Sequence, residues 1–356
     1  MKKSNRKHIL FGILTSIISI IFVLLVLEIS LRFFYPQSLE REEFDPVFKW
    51  RNRPGFSGVI IAENEKDFFT KFKINKDGFR GEELRENAKY KIMTIGDSFT
   101  FGKGVEDNET YSAVLEKNLN DLGYDTEVIN TGVIGYYPDQ YYLVVKKMAP
   151  VYKPNMIIIG FFGGNDIEDT DLLEISDNKV IEKPFEKPPV NTRVKKFFAK
   201  NSHLYNYLII KAMQNPWIDK LLIEIGVFAI HYSPFFTREL EEYYTEENKI
   251  KIILNETIKE ANKQEIPLII LYIPPIEDVS DRYYENAIKI FPNTKLNRYT
   301  VRKFIEDFGK QTNIKVVDPV DQLNEESYLP QDLHWNKKGH AVAASLLTNA
   351  TLPYLH

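Results

Sequence analysis

Ser98 follows the apolar segment 91–95 in the sequence Gly96-Asp97-Ser98. An uninterrupted apolar run that stops at small residues is typical of the carboxyl end of a buried parallel strand. Ligands bind at that edge in open α/β sheets. A serine hydroxyl placed there can attack a carbonyl carbon once a base takes its proton. The alternative is an ordinary helix-capping serine, so the choice depends on the rest of the chain.

The residues that could activate Ser98 lie near the end of the chain. Asp332 and His334 are two positions apart, and in an extended segment such residues point to the same side. The carboxylate would then fix the imidazole tautomer, and the other ring nitrogen would face Ser98. His340 is the rival base, but it falls in the predicted helix 337–347, and no carboxylate precedes it by two residues.

Two further loops follow predicted strands. Gly135 lies after Thr126–Asn130, and Asn165 lies after Met156–Phe162. Negative charge develops on the carbonyl oxygen during attack by serine, and preorganised N–H donors must meet it. The backbone N–H groups of Ser98 and Gly135, with the side-chain amide of Asn165, would form this oxyanion hole. Taken singly, a turn glycine and a turn-capping asparagine explain these two residues equally well.

These residues need a sheet whose strands end at one edge. The first three predicted strands deliver small or polar residues to the same edge, because parallel strands share the direction of their carboxyl ends. The apolar patterning predicts strands at 91–95, 126–130, 156–162, 267–273 and 313–317, and helices at 108–119, 139–148, from Thr245 to about 261, and at 337–347.

The order of these blocks resembles that of a known family. Gly96-Asp97-Ser98, Gly135, Gly163-Gly164-Asn165-Asp166 and Asp332-Leu333-His334 are similar to the four blocks of the SGNH/GDSL hydrolase superfamily. The resemblance covers about 90–170 and 310–347. It implies a flavodoxin-like three-layer α/β/α sandwich with a parallel sheet, and a serine esterase or acyl-transfer mechanism. It also implies Ser98 as the nucleophile, Gly135 and Asn165 in the oxyanion hole, and Asp332 with His334 completing a triad.

The last block departs from the common pattern. Asp332 precedes His334 by two residues, where many members have three, and Trp335 follows. This form is similar to periplasmic polysaccharide O-acetyltransferases of the alginate-acetylation type, so hydrolysis and acyl transfer both stay open. An α/β-hydrolase is disfavoured, because Thr100 stands where the Gly-x-Ser-x-Gly elbow has its second glycine.

The amino terminus has the composition of a membrane anchor. Residues 9–27 are apolar with few interruptions and would span roughly 30 Å of hydrocarbon as a helix. The cationic stub 1–8 outweighs Arg32 and Arg41, so the positive-inside rule places the stub in the cytoplasm and the rest of the chain outside. No small-x-small cleavage site follows, which favours an uncleaved single-pass anchor at 9–29 over a signal peptide.

The composition limits the chemistry. The net charge of −4 shows no basic excess, which argues against a nucleic-acid partner. The chain has no cysteine, so disulfides, thiolate metal sites and cysteine nucleophiles are excluded. Histidine and carboxylate residues show no metal-ligand spacing, and no phosphate-binding glycine loop is present, so we expect neither a metal nor another cofactor.

The remaining segments divide the chain further. We expect residues 37–89 to form a small extension with short strands at 56–61 and 68–74. We expect residues 90–356 to form the catalytic domain. A helical insertion at about 172–244 contains a basic, aromatic segment, 193–200, and then apolar helical segments near 204–213 and 217–230. The insertion is either a lid or membrane-surface helix pair, or a helical excursion packed on the domain. Apolar stripes at helical spacing favour the second.

Together these features predict a membrane-anchored, extracytoplasmic serine ester hydrolase. Its substrate would be an acylated, for example acetylated, glycan or lipid of the cell surface. One alternative is an O-acyltransferase that modifies a cell-surface polysaccharide through the same acyl-enzyme. The other is a non-catalytic glycan-binding subunit that has kept the fold.

Overall fold

The computed structural model describes residues 2–62, 67–167, 172–177, 179–213, 248–290 and 297–355. Those residues form a long amino-terminal helix, a central sheet with helices on both faces, and three antiparallel sheets of two strands each. The strands are β1 (Glu42–Asp45), β2 (Lys49–Asn52), β3 (Ser57–Ile61), β4 (Phe69–Lys73), β5 (Tyr90–Ile95), β6 (Thr126–Asn130), β7 (Met156–Phe162), β8 (Glu174–Ser176), β9 (Lys179–Ile181), β10 (Leu268–Ile273) and β11 (Lys315–Val317). The helices are α1 (Lys2–Phe34), α2 (Ser98–Phe101), α3 (Tyr111–Asp121), α4 (Pro138–Lys147), α5 (Ala149–Tyr152), α6 (Val190–Asn201), α7 (His203–Met213), α8 (Lys249–Lys263), α9 (Ile276–Val279), α10 (Asp281–Ile290), α11 (Thr300–Thr312) and α12 (Lys337–Thr351).

The central sheet has the strand order of a flavodoxin-like fold. Its five strands lie in the order β11-β10-β7-β5-β6, and every neighbouring pair is parallel. Read from the β6 edge, this is the doubly wound order 2-1-3-4-5. The predicted α/β class with a parallel sheet is therefore confirmed.

Helices cover both faces of this sheet because successive strand side chains point to opposite sides. In β7, Ile157 and Ile159 belong to one buried cluster, which also contains side chains of α4, α8 and α11. Met156 and Ile158 belong to a second cluster, formed with side chains of α3 and α12. Each face of the sheet thus has its own apolar core, which gives the three layers.

The start of α8 corrects one predicted boundary. The helix begins at Lys249 and not at Thr245, because Asn248 is its N-cap and accepts a hydrogen bond from Lys251 N at 3.1 Å. Thr245 and the predicted helical segment 217–230 lie outside the described residues. Within the predicted helical insertion, the chain also forms the β8–β9 hairpin, which the sequence patterning did not predict.

Helix α1 carries the apolar run at the amino terminus. Within the part of the chain that the structure describes, its segment His8–Phe34 is the one helix long and apolar enough to cross a membrane. The segment has a mean hydropathy of 3.0 in its most apolar stretch, none of which is buried inside the protein. The predicted helical span is therefore present as a continuous helix.

The extension 37–89 shares a core with the α/β unit. Phe72 of β4 packs in one cluster with Phe101 of α2 and with Leu329. Arg80 has a side chain that is 1% exposed, and its Nη2 donates to Val105 O at 2.8 Å. The extension thus packs directly against the loop that follows α2.

Candidate active site

Ser98 is the first residue of the short helix α2, directly beyond β5. Asp97, not Ser98, caps this helix, since Asp97 Oδ1 accepts from Phe99 N at 2.9 Å. The hydroxyl of Ser98 is therefore not used for capping. Gly96 allows the tight turn, because a Cβ there would lie 2.0 Å from Thr100 Oγ1 and 2.9 Å from Gly160 O.

Ser98, His334 and Asp332 form one chain of hydrogen bonds. Asp332 Oδ1 contacts His334 Nδ1 closely, so the ring proton belongs on Nδ1 and Nε2 is left as an acceptor. Ser98 Oγ lies 2.7 Å from His334 Nε2 and donates to it. The other carboxylate oxygen, Asp332 Oδ2, accepts from Lys103 Nζ at 2.7 Å. This arrangement is that of a serine nucleophile, a base and a residue that orients the base.

The local geometry that joins Asp332 to His334 differs from the expected one. The segment is a turn and not an extended strand, because Leu333 between them has φ +63°. Leu329 N donates to His334 O at 2.8 Å, and Leu333 N donates to Leu329 O at 3.2 Å. The two side chains converge because the backbone folds back, so the expected proximity is present for a different reason.

Asp67 holds this turn from outside. Its Oδ2 accepts from Gln331 N at 3.0 Å and from Asp332 N at 2.7 Å. The residue lies just before β4, so the amino-terminal extension contributes to the position of Asp332. Sequence reasoning missed both Asp67 and Lys103, since neither belongs to one of the recognised blocks.

The charges of the site favour a neutral histidine beside an ionised carboxylate. Burial alone would raise the pKa of Asp332, but hydrogen bonds from His334 and Lys103, together with the positive charges that both carry at the low pH where this carboxyl titrates, lower it to about 2. Burial lowers the pKa of His334 below its usual value, the contact with Asp332 opposes this, and the charge of Lys103 adds to it. His334 is therefore neutral near pH 7 and able to accept a proton.

Aromatic rings fix the plane of the imidazole. The Phe99 ring lies 4.6 Å from the His334 ring, with 30° between their planes. Trp335 is fully buried and meets Phe99 edge-on at 5.5 Å. The tryptophan that follows the histidine thus packs beneath the site.

Gly135 and Asn165 follow β6 and β7, the two strands that flank β5 in the sheet. Gly135 has φ +76°, and Trp50 and Tyr136 hold its loop: Trp50 Nε1 donates to Ile134 O at 3.3 Å, and Tyr136 Oη donates to Trp50 O at 2.7 Å. A positive φ of this kind favours glycine. Trp50, in β2, is a further residue that the sequence analysis did not single out.

The Asn165 turn is fastened by its neighbour. Asp166 is fully buried, and its carboxylate accepts from Phe162 N at 2.8 Å and from Tyr141 Oη at 2.9 Å. Asn165 Oδ1 is buried and accepts no hydrogen bond within the described part of the chain. This turn sets Asn165 at the carboxyl end of β7. The oxyanion-hole role of Asn165 and Gly135 stays a prediction.

His340, the rival base, is a structural residue. It is 1% exposed, and its Nδ1 accepts from Tyr111 N at 3.1 Å at the start of α3. Burial lowers its pKa to about 3. A histidine whose Nδ1 is engaged by the backbone in this way fastens α12 to α3. Across the described residues, no group of three histidine or acidic side chains is placed to hold a metal ion.

Comparison with known proteins gives a short sequence match and distant structural ones. No protein-family model matches the chain. Esterase TesA of Pseudomonas aeruginosa is 28% identical over 82 residues, which are 23% of this chain and 40% of the esterase. The match therefore spans less than half the length of that relative.

Several solved structures are loosely similar over most of the chain. The crystal structure of TesA has a TM-score of 0.43 and 12% identity, covering 74% of this chain and 99% of TesA. The lipase/acylhydrolase from Enterococcus faecalis has a TM-score of 0.42 and 15% identity, covering 75% and 97%. A lipolytic protein of the G-D-S-L family from Veillonella parvula has a TM-score of 0.40 and 13% identity, covering 74% and 99%.

The resemblance to SGNH/GDSL hydrolases is thereby confirmed. The curated relative is an esterase, and one of the solved structures is a lipolytic protein of the G-D-S-L family. The overall structural likeness is distant, so the reaction of this chain has to be argued from its own residues.

Proposed function

We propose that this chain is a membrane-anchored serine ester hydrolase that removes acyl groups, acetyl among them, from a glycan or lipid of the cell surface. The observation that carries the proposal is the hydrogen-bonded chain from Ser98 Oγ through His334 to Asp332. Ser98 is distant in sequence from Asp332 and His334, yet the three meet with the atom-to-atom pairing that acyl transfer to serine requires.

Both halves of the reaction, acylation and deacylation of Ser98, follow from this pairing. Ser98 Oγ attacks the ester carbonyl carbon, and its proton moves to His334 Nε2. Asp332 stabilises the resulting imidazolium through Nδ1. His334 then gives the proton to the leaving alcohol, which departs as the C–O bond breaks and leaves an acyl-Ser98 ester. Water attacks that ester with His334 again as base, releasing the acid and free Ser98.

Preorganised donors would stabilise the negative carbonyl oxygen in both halves. Ser98 is the first residue of α2, so its N–H has no partner within the helix. Gly135 and Asn165 follow the strands on either side. Their N–H groups supply the other two donors in this proposal, as the sequence blocks predict.

Anchoring and sidedness rest on the amino terminus. Helix α1 is long and apolar enough to span a bilayer, and the cationic residues of the stub 1–8 favour the cytoplasmic side. In this proposal the helix is retained as an uncleaved anchor and the α/β domain works outside the cytoplasm. A substrate of the cell surface follows from that location.

The burial of Trp335 bears on the choice between hydrolysis and transfer. Its position after His334 is the feature shared with O-acetyltransferases, yet its side chain is fully buried against Phe99. A side chain buried in this way is not accessible to an acceptor, so its presence does not favour transfer over hydrolysis.

The test is ester turnover by the full chain in detergent micelles, with p-nitrophenyl acetate as substrate. We expect Ser98→Ala and His334→Ala each to lower kcat by roughly 10³-fold or more, as loss of a triad member does. The matched control is Ser176→Ala, which changes an exposed serine of β8 and should leave kcat unchanged. Circular dichroism would establish that each variant is folded.

A serine-directed fluorophosphonate gives a second readout. Mass spectrometry should find its adduct on Ser98 and on no other serine. A folded wild-type chain with neither turnover nor adduct would overturn the proposal and favour the non-catalytic glycan-binding subunit. If an added oligosaccharide receives most of the acetyl groups in place of water, the chain is an O-acyltransferase.

A further inference from the structure

The α6–α7 corner is fastened to the end of α1 through Glu28. One carboxylate oxygen of Glu28 accepts from His203 N at 3.0 Å, and the other accepts from Leu204 N at 2.8 Å and from Ser202 Oγ at 2.9 Å. These groups begin α7. A carboxylate bound to the first N–H groups of a helix is a strong, charge-assisted contact, so the corner is held to α1 itself.

Three more contacts join the same regions. Arg32 Nη2 donates to Asn201 O at 3.0 Å, at the last residue of α6. Gln37 N, just after α1, donates to His203 Nδ1 at 2.8 Å. The rings of Tyr35 and Tyr207 meet edge-on at 6.2 Å. The end of α1 and the α6–α7 corner therefore form one packed unit.

The apolar run of α1 fixes the depth of this unit relative to a bilayer. Residues 9–27 carry no charge and as a helix measure roughly 28 Å, about the thickness of the hydrocarbon. Glu28 is the first charged residue after the run, so it lies where hydrocarbon gives way to headgroups. The residues that Glu28 binds, 202–204, lie at the same level.

Helix α6 ends at this corner, and one of its faces is apolar and exposed. The α6 stripe, as we call it, consists of Val190, Val194, Phe197 and Phe198, which are 63%, 51%, 62% and 47% exposed. Spacings of three and four residues place these side chains on one face of the helix. Large apolar side chains exposed together mark a contact surface.

The other faces of α6 are polar or packed. Arg193 and Lys195 are exposed and flank the stripe on its two sides. On the opposite face, Glu40 N donates to Ala199 O at 3.0 Å, and Lys196 Nζ lies 3.4 Å from Glu40 Oε1. An apolar face between basic side chains is the pattern of a helix that lies in a membrane interface.

We propose that the α6 stripe is buried in the lipid headgroup and acyl boundary beside α1, with Arg193 and Lys195 against anionic lipid headgroups. The occupant of the stripe is the bilayer because the unit that carries α6 is already fixed at that level. This inference rests on the proposed anchoring by α1 but not on the proposed ester chemistry. It makes α6 a second membrane contact that holds the domain in one orientation.

The absence of cysteine from the chain permits a direct test with single nitroxide labels. The full chain carrying Val194→Cys is labelled and reconstituted in vesicles of phosphatidylcholine and phosphatidylglycerol. Power saturation in electron paramagnetic resonance then measures how often the nitroxide collides with oxygen, which concentrates in lipid. It also measures how often the nitroxide collides with a water-soluble nickel chelate. The matched control is Val151→Cys, an equally simple change of a 69% exposed valine in α5.

We expect the oxygen-to-nickel collision ratio to be several-fold higher at position 194 than at position 151. A label at 194 that the nickel chelate reaches as readily as at 151 would overturn the inference. So would a label shielded from both reagents, because protein would then cover the stripe.

A third label, at Leu14→Cys, separates this inference from its premise. Leu14 lies within the apolar run 9–27, so its label reports whether α1 is in the bilayer. If the label at position 14 is in lipid and the label at position 194 is in water, the α6 contact alone is refuted. If the label at position 14 is in water, the anchor is refuted, and the α6 contact with it.

Discussion

The carboxylate of Asp332 has both of its oxygens occupied, one by the imidazole of His334 and one by the ammonium of Lys103. Lys103 acts through Asp332, so it is a positioning residue and not a catalytic one. Two consequences follow from its place. It prevents the carboxylate from rotating away from the ring, and its charge disfavours protonation of His334.

We expect Lys103→Met to shift the acid limb of the kcat/KM profile to higher pH. In the wild type the pKa of His334 is lowered, so the base stays neutral and active at pH values below its usual range. Without the lysine charge, this pKa rises and the active form is lost at a higher pH. The measurement is the pH dependence of p-nitrophenyl acetate turnover.

The control for that prediction is Lys117→Met. Lys117 is an exposed lysine paired with Asp121 on α3, and its removal should leave the acid limb in place. A profile unchanged by Lys103→Met, in a folded protein with reduced turnover, would mean that Lys103 is merely structural.

At this scale the sequence could predict the residues of the proposed triad but not the residues that hold them. Ser98, Asp332 and His334 carry their chemistry in residue type and short spacing. Lys103 and Asp67 contact Asp332 across separations of 229 and 265 residues, which no local pattern records. The left-handed conformation of Leu333 was not predicted, because a bulky residue seldom adopts it. The sequence around Leu333 instead predicted an extended segment.

At the scale of elements, the loop after β6 and the helix α2 touch backbone to backbone. A Cβ on Gly132 would lie 2.3 Å from Phe101 N and 2.7 Å from Thr100 C. These atoms belong to the helix that begins with Ser98. The fit between the two elements therefore sets the position of the nucleophile relative to the loop of Gly135.

We expect Gly132→Ala to lower the free energy of unfolding by about 1–3 kcal/mol, the usual result of overpacking. Turnover should fall further than stability alone explains, because α2 must shift. Urea denaturation and kcat measure the two effects. For comparison, a Cβ on Gly58 would come within 3.0 Å only of the ring of Phe56, a half-buried side chain, and would make ordinary contact with Phe72. Gly58→Ala should therefore change both quantities less.

The elements themselves differ in how far sequence predicts them. Strands β6 and β7 both have the predicted bounds. In β7 this is because an almost uninterrupted apolar run ends at small residues. Strand β1 has the sequence Glu-Glu-Phe-Asp and is half-buried throughout, so neither alternation nor apolarity marks it. Its partner β2 nevertheless brings Trp50 to the loop of Gly135. Pairing between short polar strands is decided by the fold around them.

At the scale of the whole molecule, the proposed sidedness makes a prediction that needs no substrate. In spheroplasts that express the full chain, a membrane-impermeant maleimide should label Val151→Cys without permeabilisation. Asn5→Cys, in the cationic stub, should be labelled only after the membrane is opened. The reverse pattern would place the α/β domain in the cytoplasm and would contradict the positive-inside assignment.

The contacts of Glu28 and Arg32 also determine how the protein would search for its substrate. A domain on a flexible linker samples a volume. Under the anchoring proposed for α1, a domain hydrogen-bonded to that helix at Ser202, His203 and Leu204 would instead keep one height above the bilayer. Its encounters are then confined to a thin layer parallel to the surface, where tethering raises the effective concentration. Esters at that height would be hydrolysed in preference to identical esters higher or lower. The distance of the site from the bilayer would therefore contribute to substrate specificity.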